Sequence, residues 1–247
     1  MTTLLSAVRR ALTALGVPGG ADGLSPAVRP QALVYRGPAT VPGCPEAVVE
    51  LLSASLWDFD IRYVGPHERL ALTPEVLMGA TLYAQPGGAT LSRGYKHMRK
   101  HRSAIRDFVR SGGGYLGFCL GGYLAGATPG FALLPGDTDQ YIASPHATVE
   151  SEDDTLVQVS WRGGQRTLFF QDGPHFELSP DAHATVLATY PNNTIAAVVT
   201  RFGAGRVGVV GPHPEATPDW FTDAGLSKPQ RLGYDLGLDL VDTVMRA

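Results

Sequence analysis

The sequence predicts an α/β domain built on an open, mainly parallel sheet with helices on both faces and an antiparallel β-hairpin insertion. Three observations point there. From Ala32 onward, short apolar runs alternate with segments of helical spacing. From about His146 to Thr200 the texture changes to short β-rich runs separated by turn residues, and a last apolar run, "RVGVVG", follows them. The 247 residues are 44% hydrophobic, enough to bury one sizeable core.

Taken in order, "TLLSAVRRALTAL" places Leu4, Leu5, Val8, Leu12 and Leu15 on one helical stripe. Arg9 and Arg10 interrupt it, so it is read as an amphipathic helix for packing or for pairing in a homo-oligomer, not as a leader or membrane span. "GVPGGADGLSP" is a breaker-rich linker. Residues 1–30 are therefore read as helix and linker, and 31–247 as the domain.

"ALVYRG" reads as a strand, "EAVVELLSASLW" as a helix, "DIRYVG" as a strand, "TPEVLMG" as a helix opened by Thr73, and "ATLYAQ" as a strand. Between Gly94 and Ser111 one helical face carries Tyr95, Met98, Ile105, Phe108 and Val109, and the strand "YLGF" follows. "TLVQVSW", "QRTLFFQ", "ATVLATY" and "IAAVVTR" read as hairpin strands, and the tail "YDLGLDLVDTVMRA" as a helix packed on the sheet.

Composition narrows the function classes. A net charge of -3 shows no basic excess, and "RGYKHMRKHR" is spaced like the solvated side of a helix, so no nucleic-acid partner is expected. Two cysteines, Cys44 and Cys119, allow at most one bridge, and reduced thiols in a cytoplasm are the expectation. The seven histidines include no H-E-x-x-H and no Cys/His pairing, so no metal is expected. Gly87 and Gly88 lack the further glycines and the lysine of a phosphate-binding loop, so no nucleotide cofactor is expected either.

The chemistry-bearing stretch is "GGGYLGFCLGGYLAG". Gly117, Cys119 and Gly121 form a G-x-C-x-G elbow between a strand and a helix, the thiol counterpart of a serine nucleophile elbow. A helix N-terminus favours thiolate, and the Leu120 N–H is available to an oxyanion. A thiol nucleophile needs a base, and the base an orienting group. After the last strand, "PHPE" supplies His213 and Glu215 at the sheet edge where ligand sites of such folds gather. In "YAQPGG", the backbone of Gly87 and Gly88 is placed to complete an oxyanion hole with Leu120. Cys44, after the first strand, belongs to the same edge, as a loop thiol or a neighbour of Cys119.

The order "YAQPGG", "FVRSGGGYLGFCLGGYLAG", "FALLPGD", "FFQDGPHFE", "GVVGPHPE" resembles the class I glutamine amidotransferase-like superfamily, and within it the group related to the N-terminal domain of eukaryotic biotin-protein ligases. The resemblance spans about Ala32 to Pro218. It implies a flavodoxin-like fold, a catalytic triad of Cys119, His213 and Glu215, and a pocket wall from Gly173, Pro174, His175 and Phe176. Two departures matter. Glutamine-hydrolysing members carry a polar substrate contact soon after the elbow, where this chain has Gly122 and Tyr123, so glutamine is not the expected substrate and Tyr123 takes the substrate-facing position. The chain also ends soon after "HPE", so a complete biotin ligase is not expected.

The reading is a cysteine-dependent hydrolase or amidotransferase-like enzyme acting on a small-molecule or peptide amide or related acyl group. The alternatives are a catalytically idle binding or regulatory domain of the same fold, and an amide-transfer subunit working with a separate ammonia-using enzyme.

Overall fold

The computed structural model describes residues 29–246. The amphipathic helix and the linker expected before Pro30 lie outside the described residues.

The first half alternates strand and helix as the periodicity requires: β1 (Gln31–Tyr35), α1 (Cys44–Ser53), β2 (Asp60–Val64), α2 (Pro74–Met78), β3 (Leu82–Gln85), α3 (Leu91–Met98), a 3-10 turn (Arg99–His101), α4 (Arg102–Arg110), β4 (Gly114–Phe118) and α5 (Leu120–Ala125). Thr73 caps α2 as expected, its hydroxyl accepting from the Val76 N–H at 3.3 Å. The segment from Gly94 to Ser111 is not one helix. It bends at the 3-10 turn, while Met98, Ile105, Phe108 and Val109 still face the core. The remainder is β5 (Gly136–Gln140), β6 (Thr155–Trp161), β7 (Gly164–Phe170), β8 (Pro174–Leu178), β9 (Ala184–Thr189), β10 (Ile195–Phe202), β11 (Gly205–Val210), α6 (Pro218–Asp223) and α7 (Tyr234–Met245).

The strands share one sheet in the order β2-β1-β3-β4-β11-β10-β9-β6-β7, with β5 and β8 branching from β10. β2, β1, β3, β4 and β11 are mutually parallel, and the rest pair antiparallel. β1, β3, β4 and β11 are buried on both faces and are largely apolar, whereas the edge strand β2 is mostly half-buried and carries the exposed Arg62. In β1, Ala32 and Val34 join the core beneath α1 and α7, while Leu33 and Tyr35 join the core beneath α2, α3 and α4. The β6–β7 hairpin turns through Arg162 and Gly163, both at positive φ (44° and 83°), the pattern of a tight two-residue turn. Asp239 of α7 ties the hairpin down, accepting from Trp161 Nε1 at 2.8 Å and from Arg162.

One local reading changes. Asp172 to Phe176 is expected as a stiff turn, but Pro174–Leu178 is a strand that pairs antiparallel with β5 along its full length. β5, "GDTDQ", lacks apolar alternation, so neither partner announces the pairing.

Candidate active site

Cys119 sits between β4 and α5 at φ 48° and ψ -105°, a conformation that costs a non-glycine residue roughly 1–3 kcal/mol. The crowding around it explains the flanking glycines. A Cβ on Gly117 would overlap the Gly121 carbonyl, and one on Gly121 would overlap the Gln85 carbonyl. The Cys119 N–H donates to Val210 O at 2.9 Å, which locks the elbow to the end of β11 and hence to the loop carrying His213.

That loop returns His213 to the same edge. Its N–H donates to Phe169 O at 2.9 Å, and its ring packs between Phe169 and Trp220 at centroid distances of 6.0 and 5.2 Å. Nδ1 lies 2.8 Å from Glu215 Oε1, and both side chains are buried. Burial disfavours the imidazolium, but the charges of Glu215 and then Cys119 outweigh it and raise His213 to about 10. Among the described residues Glu215 Oε2 has no hydrogen-bond partner, and the His213 contact at Oε1 offsets the burial of the group.

Cys119 lies beside the His213 ring, and its Sγ directs a hydrogen bond to Gln171 O at 3.5 Å. Gly87 fixes the spacing. A Cβ there would stand 2.9 Å from His213 Cε1, 3.2 Å from Cys44 Sγ and 3.8 Å from Cys119 Cβ. Cys44, expected in a loop, is the first residue of α1 and is buried against the same centre. Its burial, followed by the charges of Glu215 and Cys119, pushes its thiol far up.

A cavity of about 270 Å³ opens on Cys119, lined also by Val41, Gly88, Leu120, Tyr123, Gln171 and Asp172. Leu120 opens α5, so its N–H has no partner within the helix, and the residue lines the cavity. The Tyr123 hydroxyl donates to Asp172 O at 3.0 Å. Asp172, at φ 43°, receives Gln140 Nε2 on both carboxylate oxygens at 3.1 and 3.0 Å. Its carboxyl is raised above the ordinary range by burial and by Glu152, against the Gln140 bond.

The structure therefore gathers Cys119, His213, Glu215, Gly87, Gly88, Leu120 and Tyr123 at one edge. Gly173, Pro174, His175 and Phe176 lie behind it. His175 is a buried β8 residue opposite Asp139, and Pro174 and Phe176 pack near Gly122. The cavity wall next to them is Gln171 and Asp172, the first two residues of the "QDGPHFE" stretch expected to wall the pocket. Against the expectation that no histidines have H-x-x-x-H spacing, His97 and His101 do, but the chain passes from α3 into the 3-10 turn between them. Among the described residues no three His, Cys, Asp or Glu side chains are grouped to hold a metal.

Residues 30–144 match the family described as Biotin-protein ligase, N terminal. The chain resembles this family. The matched segment contains the Gly87–Gly88 loop and the Cys119 elbow and ends before His213. A biotin–protein ligase of Schizosaccharomyces pombe is 27% identical over 159 residues, 54% of this chain and 25% of the ligase, so the match spans about a quarter of that relative's length. Among solved structures, the cytoplasmic protein STM1381 of Salmonella typhimurium LT2 superposes with a TM-score of 0.50 at 14% identity, covering 87% of this chain and 99% of that one, a likeness of fold. Gan42B, a GH42 beta-galactosidase of G. stearothermophilus, gives 0.49 at 16% identity over 87% of this chain and 29% of its own.

Proposed function

We propose that this domain is a cysteine-dependent hydrolase or amidotransferase-like enzyme acting on an amide or related acyl group of a small molecule or peptide. The observation that carries the reading is the buried 2.8 Å contact of His213 with Glu215 beside a cysteine held at a strained elbow on the floor of a cavity. In the proposed reaction Cys119 Sγ attacks the acyl carbon, and its proton resides on His213, whose raised pKa suits it to hold that proton. Glu215 fixes the ring by accepting from Nδ1–H, which turns Nε2 toward the reacting atoms. The oxyanion of the tetrahedral intermediate is received by N–H groups of Leu120 and the Gly87–Gly88 loop. His213 then protonates the leaving amine, and water activated by the same ring clears the thioester. The reading uses no cofactor, and a reducing cytoplasm, the compartment in STM1381's description, suits it.

The test is labelling of the purified protein by an electrophilic acyl probe, followed by a screen of amides. Labelling lost in Cys119→Ser and turnover of at least one amide support the reading. The Sγ hydrogen bond to Gln171 O favours a second reading, an idle binding domain that keeps the elbow for packing. On that reading the probe labels nothing and small amides bind without turnover.

A further inference from the structure

We propose that Cys44 and Cys119 form a redox pair, closing a reversible disulfide inside the chain when a hydroperoxide enters the cavity. The pairing rests on placement and does not depend on the amide chemistry above. Both thiols are free and buried, and both border the space left by the missing side chain of Gly87, where one point lies 3.2 Å from Cys44 Sγ and 3.8 Å from Cys119 Cβ. They are 75 residues apart in sequence, Cys44 opening the helix that follows β1 and Cys119 the elbow after β4, and the parallel sheet brings them to one edge. No side chain at position 87 stands between them.

The surroundings divide the roles. Cys119 lines the cavity and meets the oxidant first, whereas Cys44 is not among the residues that line it and its sulfur borders the Gly87 gap behind. The Cys119 thiolate attacks the terminal peroxide oxygen, the O–O bond breaks, and the sulfur is oxidised by two electrons to a sulfenic acid while alkoxide or hydroxide leaves and takes the proton held on His213, which frees the ring. Cys44 then attacks Cys119 Sγ, the S–O bond breaks, water leaves, and the S–S bond forms. His213, with Cε1 2.9 Å from the same point, is placed to take the Cys44 proton, which burial otherwise holds on the sulfur. The sulfurs move into the Gly87 gap to reach disulfide geometry. An external dithiol reverses the step by exchange. The consequence is protection, since a disulfide is recoverable whereas further oxidation of Cys119 is not.

The test treats the full chain with one equivalent of hydrogen peroxide, alkylates the remaining thiols and maps the product by non-reducing mass spectrometry. The expected product is a monomer lacking two hydrogens, with a linked peptide pair containing Cys44 and Cys119, restored by dithiothreitol. In Cys44→Ser, and in Cys44→Ala should the serine variant misfold, dimedone added with the one equivalent traps Cys119 as its sulfenic acid, and without dimedone excess peroxide takes Cys119 on to two or three added oxygens. A wild-type Cys119 that gains those oxygens as fast as in the variants, or a disulfide found only between two chains, overturns the pairing.

Discussion

His213 Nδ1 and Glu215 Oε1 lie 2.8 Å apart just past the end of β11, both side chains buried. Because His213 is raised in the fold from an ordinary value of 6.5 to about 10, folding favours its protonated form. The linked stabilisation is complete below about pH 6.5, declines above it and is gone once pH passes about 10. Thermal unfolding of wild type and His213→Gln between pH 6 and 10 should therefore converge as pH rises. A difference that stays constant over that range contradicts the pairing.

Replacing Glu215 by Gln keeps the shape and removes the charge that raises His213. The imidazole titration followed by NMR should move to lower pH, and turnover of any substrate found in the amide screen should fall by roughly 10²–10⁴-fold with the fold intact. An unchanged titration would show that Glu215 does not set the ring's charge.

The elbow glycines should be intolerant in a graded way. Gly121→Ala drives a methyl into the Gln85 carbonyl, backbone that cannot swing aside, so denaturant unfolding should show a loss of at least about 2–3 kcal/mol. Gly112→Ala is the control for a different cost. Its Cβ meets nothing within 4 Å, so the loss comes from its φ of 115° alone.

How legible the molecule was in its sequence varied with the kind of signal. β1, β3, β4 and β11 could be placed because each is buried on both faces, and Cys119 could be placed because two glycines flank it at a strand end. β5 and β8 were not, since Gly136–Gln140 is polar and half-buried and Pro174 opens its strand without a preceding apolar run. His175 was accordingly read as a loop residue when it is a buried strand residue. The convergence of Cys44 on Gly87 is long-range packing, and no local spacing encodes it.

Tyr123 occupies the cavity beside Cys119 and spends its hydroxyl on Asp172 O, leaving little there to receive a carboxamide side chain. Ammonia release from free glutamine, followed by a coupled assay, should stay near background. Tyr123→Phe should cost about 1 kcal/mol of stability through loss of the hydrogen bond. Efficient glutamine hydrolysis by the wild-type chain would refute this view of the cavity.

The measurement that bears most directly on the central claim is the pH dependence of iodoacetamide alkylation at Cys119, followed residue by residue by mass spectrometry in wild type and His213→Ala. If His213 holds the thiol proton, Cys119 reacts at least about tenfold faster than Cys44 near pH 7, and the His213 variant reaches the same rate only at higher pH. Equal labelling of both cysteines, or a Cys119 profile unchanged by the His213 variant, would contradict the account and leave the elbow as packing.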